Sequence, residues 1–313
     1  MRSSFSVGVV GIGMVGTPLA RYFSEVCGYE RGKNLFLFDT DREKGFADDP
    51  NRADMVFVAV PTPRAKDGLA DLSHLQDAVK KFRGSKIVVI KSTVLPGTTE
   101  WLQKRYPRHK WLFNPENLTE RQAWEDFIRP DVQIVGFTEK SKDVAMAVLH
   151  LLPKAPFMSP WGMGTYKRVE ITATEAEIIK YARNVHFARK VNLANILAAF
   201  TEKLGADYEN VRLGMSADFR IGDSHLDVIH GGYRGFGGYC LPKDLDAFIG
   251  ALKKADMKGA VSLLKQDREF NCQLLASQGL TLNDVSVHDA EWVRRHAKKS
   301  GLASVRRGRV RSE

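Results

Sequence analysis

The chain has 313 residues, 43% of them hydrophobic, and carries 47 lysines and arginines against 37 aspartates and glutamates, a formal charge of +10. That length allows two domains with a core each, and no apolar stretch nears the roughly 20 residues that cross a bilayer, which argues against a membrane protein. Three scattered cysteines, Cys27, Cys240 and Cys272, are too few for a disulfide framework or a zinc site, and Met1-Arg2-Ser3-Ser4 runs straight into the first strand; the expectation is a cytoplasmic protein without metal.

Val7 to Val10 is a β-branched run leading into Gly11-Ile12-Gly13-Met14-Val15-Gly16, and an apolar, helix-like stretch follows to about Val26. This is the strand, turn and helix order that a dinucleotide-binding glycine turn requires. Gly11 makes the tight turn, Gly13 lets backbone approach a pyrophosphate, and Gly16 lets helix pack on strand, so Gly11, Gly13, Met14, Val15 and Gly16 are candidate cofactor contacts. The next strand, Leu35 to Phe38, ends in Asp39, 23 positions after Gly16. A carboxylate there accepts from ribose hydroxyls and repels a 2′-phosphate, favouring NAD over NADP; Arg42 is close enough to weaken that preference. Strands follow at Met55 to Val60, Lys86 to Lys91, Trp111 to Asn114 and Val132 to Gly136, separated by helix-like Leu72 to Phe82 and Ser141 to Leu152. Such alternation predicts an α/β fold of Rossmann type, a doubly wound, mainly parallel sheet covered on both faces.

Pro153, Pro156 and Pro160, with Gly162 and Gly164, mark a boundary. The division read from the sequence is a cofactor domain over 1–160, an all-helical domain over 165–280 and a basic, flexible tail over 281–313. From Thr172 to about Leu204 there is neither glycine nor proline. One helix there spans roughly 45 to 50 Å, long for a small domain by itself, and is expected to be the spine of a homodimer. Lys180 and Asn184 lie four apart on it, hence on one face. Further helices are predicted over Tyr208 to Met215, Asp244 to Lys254 and Gly259 to Ser277. Residues 231–244 set Cys240 in a glycine-rich loop just before Lys243 and Asp244. The glycines let backbone approach a ligand and Lys243 can lower the thiol pKa; the loop by itself reads equally as a reactive thiol or as an incidental cysteine. The basic run Arg294, Arg295, Lys298, Lys299, Arg306, Arg307, Arg309 and Arg311 has no aromatic residue after Trp292 on which a base could stack, so a solvated end is expected rather than a nucleic-acid site.

The chain resembles the UDP-glucose/GDP-mannose dehydrogenases. Seven blocks carry the resemblance in order: Gly11 to Gly16; Val60-Pro61-Thr62-Pro63; Lys91 to Thr99; Asn114-Pro115-Glu116-Asn117-Leu118-Thr119-Glu120; the helix Glu175 to Asn195; Arg220-Ile221-Gly222; and Gly235 to Asp244. Members of that family oxidise the C6 hydroxyl of a nucleotide sugar to a carboxylate in two NAD-dependent steps. The resemblance implies that Cys240 is the nucleophile, holding the aldehyde as a thiohemiacetal and the acid as a thioester. It implies that Lys180 stabilises an oxyanion with Asn184 beside it, that Glu116 is the base for hydrolysis, and that Thr93 and Asp244 position water and the reacting hydroxyl. Glu120, Lys180, Asn184, Arg220, Gly237 and Lys243 match substrate contacts, with the arginine reaching in from a neighbouring subunit; Pro61, Thr62, Thr93 and Lys243 match cofactor contacts.

Two departures accompany the match. Only fifteen residues, Thr40 to Asp54, separate Asp39 from Met55, where the family has a longer stretch with a further strand; an edge strand is expected to be lost and NAD to bind more weakly. Beyond Asn271 there is no strand and helix alternation, so the family's third, nucleotide-binding domain is expected to be missing. Two alternatives stand beside the four-electron reading: a two-electron dehydrogenase of a small hydroxy acid, which uses a lysine on the long helix and no thiol, and a catalytically silent NAD-binding or scaffold protein.

Overall fold

The computed structural model describes residues 5–65, 67–116, 118–160 and 170–297. Gly162 and Gly164 of the boundary, Asn117 of the fourth block and the basic residues from Lys298 onward lie outside them. By its internal contacts the chain divides into residues 1–183 and 184–313.

The first unit is built on a six-stranded sheet. Its strands are β1 (Val7–Val10), β2 (Leu35–Phe38), β3 (Met55–Val58), β4 (Ile87–Ile90), β5 (Lys110–Phe113) and, after β6 (Val132–Ile134), β7 (Gly136–Phe137). The order is β2-β1-β3-β4-β5-β7; the first five strands run parallel and β7 is antiparallel to β5. Their residues alternate between two cores, as a period of two dictates. Val7, Val9, Leu37, Phe57 and Val89 face one helical layer, made by α1 (Gly16–Arg21, continuing as a wider turn over Tyr22–Val26), α4 (Ala123–Ile128) and α5 (Lys142–Leu151). Val10, Val56, Val58, Val88 and Ile90 face the other, with α2 (Ser73–Val79) and α3 (Thr98–Arg105).

Here two expectations differ from the structure. The single strand expected over 132–136 is two: β6 pairs in parallel with β8 (Phe157–Ser159) in a separate sheet, and β7 joins the main one. The break comes at Val135, just before Gly136, where a Cβ would sit 2.6 Å from the Cβ of Ala176. The long helix α6 (Ala173–Lys203) packs its first turns through that gap, with Ala173 and Ala176 fully buried, and so the division between units falls inside α6 and not at the prolines. No strand lies between β2 and β3, and β2 is the edge of the six-stranded sheet; the short stretch after Asp39 runs along that edge, where Asp39 N–H donates to Phe46 O at 2.8 Å and Asp48 N–H donates to Leu37 O at 3.0 Å.

The second unit holds α6 from Asn184 onward, α7 (Tyr208–Ser216), α8 (Cys240–Lys254) and α9 (Lys258–Ala276). Val185, Ala188 and Val191 of α6 pack with Leu245, Ile249 and Leu252 of α8 and Val261 and Leu264 of α9. It is not wholly helical, because Ile229–His230 and Tyr233–Arg234 form a hairpin whose turn, Gly231-Gly232, has φ of 64° and 91°, values that glycine adopts without strain. The range read as a tail also folds as far as it is described. Here α10 (Leu282–Val285) and α11 (Asp289–Ala297) place Val285 and Trp292 in a small core with Tyr233 and Leu275. A tryptophan that buries most of its surface outweighs the charged residues around it.

Candidate active site

In the first unit the candidate residues gather at the carboxyl ends of the parallel strands, beside the reversal of strand order between β1 and β3, where open α/β sheets take their ligands. Gly11 has φ of 90°, and a Cβ on it would lie 2.6 Å from Ala59 O at the end of β3; a Cβ on Gly16 would lie 1.8 Å from Gly11 O. Both positions are closed by packing. Gly13 is the opposite case, with nothing within 4 Å of where its Cβ would be, so its backbone presents an open cradle. That asymmetry fits a dinucleotide: two glycines build the turn and the third leaves room for the pyrophosphate. Asp39 fastens the turn to β2, its carboxylate accepting from Ile12 N–H at 2.7 Å, Asp41 N–H at 2.9 Å and Lys44 Nζ at 3.0 Å. Burial alone would raise its pKa; these donors outweigh burial and hold it below the ordinary carboxylate value.

The loops after β3 and β4 are tied together. Buried Thr62 donates from its hydroxyl to Thr93 O at 2.8 Å, and Ser92 Oγ donates to Val60 O at 2.7 Å. At the end of β5, buried Glu116 accepts Leu118 N–H on Oε1 at 2.8 Å, while its backbone oxygen accepts Lys180 Nζ from α6 at 2.6 Å. Lys180 and Glu116 are thus brought together. Glu120 opens a short turn over Glu120–Gln122 and is half-buried.

Two residues given no role above also shape this half. Lys91, fully buried at the end of β4, donates to Asn114 Oδ1 at 2.6 Å and lies 3.5 Å from Glu116 Oε2. Burial pulls its pKa down, Glu116 opposes and neighbouring Lys180 adds to the fall. A lysine directly after the apolar run Ile87 to Ile90 was the signal, since a charge at that depth must be partnered. Glu177 caps α3, accepting Gly97 N–H at 2.6 Å and Thr99 N–H and Oγ at 2.8 and 2.6 Å. Burial pushes its carboxyl up to about 7 against those donors.

In the second unit Cys240 is the first residue of α8, half-buried. Three residues placed near it by sequence do meet. Asp244 is fully buried one turn on; Asn184 donates to its Oδ2 at 2.5 Å and Lys243 Nζ donates to its Oδ1. Burial would lower the Lys243 pKa, but Asp244 raises it above the ordinary lysine value, so the ammonium persists. The loop before the helix is clasped. Asn271 accepts Phe236 N–H at 2.8 Å and donates to Phe236 O at 3.0 Å, and Gly238 N–H donates to Val285 O at 2.8 Å. A Cβ on Gly237 would meet Tyr233 Oη at 2.1 Å, so that glycine is required by packing. Arg220 stands apart from this group, exposed, with Nε 2.9 Å from Asp218 Oδ1. Among the described residues no group of three or more His, Cys, Asp or Glu could hold a metal ion, and no helix is long and apolar enough to cross a membrane.

Comparison with known proteins agrees with this layout. Residues 31–151 match the NAD binding domain of the UDP-glucose/GDP-mannose dehydrogenase family and residues 174–273 match its central domain. A UDP-glucose 6-dehydrogenase of Pseudomonas aeruginosa is 37% identical over 237 residues, 71% of this chain and 48% of that protein. One from Rickettsia bellii is 30% identical over 81% of this chain and 56% of its own length. The chain therefore spans about half the length of the curated relatives it matches. A UDP-glucose dehydrogenase structure from Pyrobaculum islandicum superposes with a TM-score of 0.69 at 27% identity, covering 88% of this chain and 72% of that one.

Proposed function

The chain belongs to the UDP-glucose/GDP-mannose dehydrogenase family, and on that premise we propose that it oxidises the C6 hydroxyl of a nucleotide sugar to a carboxylate, with NAD as cofactor and Cys240 as nucleophile. The observation that carries this reading is the buried pair Lys243 and Asp244, within about one turn of a thiol at a helix start, with Asn184 of α6 donating to Asp244. Desolvated charges held that way stabilise a fold poorly and are kept where chemistry uses them.

The glycine turn from Gly11 to Gly16, with Asp39, Pro61, Thr62 and Thr93, would hold NAD, which supplies a two-electron acceptor for each of the two steps. The protein's own residues do the rest. Cys240 Sγ adds to the aldehyde carbon, and its thiohemiacetal keeps the carbon that is to be oxidised in place. At the acid level the sulfur holds a thioester. Lys180 faces the oxygen on which negative charge develops, with Asn184 one turn along the same helix. Glu116 takes a proton from the water that cleaves the thioester, and Thr93 and Asp244 orient water and hydroxyl. Glu120, Arg220, Gly237 and Lys243 are assigned to the substrate.

The same reading makes the protein a homodimer. Leu193, Ile196 and Phe200 of α6 and Leu204 directly after it are 45%, 48%, 57% and 66% exposed and recur every three or four residues, one apolar stripe suited to a second copy. It also places the protein in the reducing cytoplasm, in keeping with three cysteines that form no disulfide.

The name borne by the curated relatives makes UDP-glucose the first substrate to offer, followed by UDP-N-acetylhexosamines, UDP-galactose and GDP-mannose. NADH counted per sugar by absorbance tests the proposal. Two equivalents support it; one equivalent favours a two-electron dehydrogenase, and dinucleotide binding without NADH favours a silent scaffold.

A further inference from the structure

We propose that Lys91 is a positioning residue for thioester hydrolysis, holding the Glu116 carboxylate in place for the water it activates and acting on that step alone; this rests on the proposed function and on Glu116 as its base. Lys91 directly follows β4, and its side chain is 3% exposed where that of Glu116 is 9% exposed. Its Nζ lies 3.5 Å from Glu116 Oε2, within ion-pair reach, while Glu116 Oε1 accepts Leu118 N–H at 2.8 Å. The two carboxylate oxygens are thus held separately, one by a cation and one by backbone.

The lysine has its own anchor. It donates to Asn114 Oδ1 at 2.6 Å, and Asn114, wholly buried, donates through Nδ2 to Gln133 Oε1 at 2.8 Å and to Ile134 O at 2.6 Å. Both amide hydrogens of Asn114 are committed to β6, which leaves its oxygen for Lys91. Gln133 in turn donates to Pro153 O at 3.3 Å. A line of buried bonds from Pro153 through Gln133 and Asn114 therefore sets where the ammonium sits.

Glu116 faces Lys91 from the end of β5, Lys180 bears on it from α6, and the Phe127 ring of α4 has its centroid 5.9 Å from Nζ. Burial and Lys180 pull the lysine towards its neutral form and Glu116 opposes them. An apolar side chain of similar size would pack there at no such cost. What the cation adds is a fixed carboxylate. In the step concerned, the water oxygen bonds to the thioester carbon, the C–S bond breaks and sulfur leaves as thiolate; one water proton passes to Glu116 and the other stays on the acid product.

Wild type, Lys91→Met, Lys91→Arg, Glu116→Gln and the double variant Lys91→Met/Glu116→Gln are mixed with NAD and the sugar nucleotide that wild type turns over, in stopped flow, following NADH. Lys91→Met is expected to release a burst of two NADH per active site and then turn over about tenfold or more slower than wild type. Its kcat/KM for the sugar should stay within about twofold of wild type, because the steps up to the first hydride do not use Glu116. Lys91→Arg should recover the rate, and Lys91→Met should slow Glu116→Gln no further. Where Lys91→Met does not fold, Lys91→Gln carries the same test. An unchanged kcat, kcat and kcat/KM falling together, or a double variant slower than Glu116→Gln by the full single-variant factor overturns the inference and leaves the proposed function intact. A wild type that forms no NADH from any of the sugars offered overturns both.

Discussion

The Lys180 ammonium donates to the backbone carbonyl oxygen of Glu116, 64 residues earlier in the chain, at 2.6 Å. A cation from the long helix is thereby fixed at the end of β5, where the Glu116 side chain also sits buried. Replacing Lys180 with methionine keeps much of the buried stem and removes the charge. We expect kcat to fall about 10²–10³-fold, the range for losing a donor at a developing oxyanion, with NADH affinity unchanged. A kcat close to wild type in stopped-flow assays would remove Lys180 from the chemistry.

Gly13 and Gly16 separate binding from folding. A Cβ on Gly13 meets nothing within 4 Å, whereas one on Gly16 meets Gly11 O at 1.8 Å. Gly13→Ala should melt at the wild-type temperature yet bind NADH at least about tenfold more weakly, because its methyl fills the room left for the pyrophosphate. Gly16→Ala should lower the melting temperature by several degrees or fail to fold. Equal effects of the two substitutions on stability would contradict this reading of the turn.

Glu177 gives the first unit a pH-dependent stability. Its pKa is raised by burial from the ordinary 4.5 to about 7, in part offset by Thr99 and Gly97. The folded state holds the proton more tightly than the unfolded chain, so this contribution is fully present below 4.5 and lost as pH rises through about 7. Urea unfolding at several pH values should show wild-type stability falling across that window relative to Glu177→Gln, by on the order of 3 kcal/mol at most. Parallel curves for the two proteins would place the titration elsewhere.

Trp292 ties α11 to the cysteine loop. Its indole N–H donates to Gly231 O at 2.7 Å and its ring meets Tyr233 edge-on at 4.9 Å, the same tyrosine that packs over Gly237. Trp292→Ala should cost roughly 3 kcal/mol and expose the loop, so that iodoacetamide modifies Cys240 faster. Unchanged melting and alkylation rates would show that Trp292 contributes nothing to the loop.

Much of the cofactor half was legible because its signals are local. The glycine turn, Asp39 and the buried runs at Val7, Met55 and Ile87 each announce themselves within a few residues. Lys91 signalled its burial by following Ile87 to Ile90 but not its partner, and Glu177 gave no local signal, because those partners lie 23 and about 80 positions away and only the fold brings them together. The split between β6 and β7 escaped for a like reason: Gly136 looks like one more strand residue until α6 needs its missing side chain. Val285 and Trp292 were hidden among charged residues in short segments, where periodicity has too few turns to show. Lys44 was passed over for Arg42, since sequence distance from Asp39 does not reveal which side chain the turn aims back.

Acylation of Cys240 Sγ is the step that sets the proposed chemistry apart from a two-electron dehydrogenase or a silent scaffold. Mixing the protein with a nucleotide-sugar substrate and NAD, quenching in acid during turnover and weighing the peptide that contains Cys240 tests it most directly. The expected result is a transient mass increase equal to the uronyl-nucleotide acyl group, absent when Cys240 is alkylated beforehand, with the second NADH per sugar lost in the same sample. An unmodified Cys240 peptide at every quench time, while two NADH per sugar continue to form from alkylated protein, would contradict it.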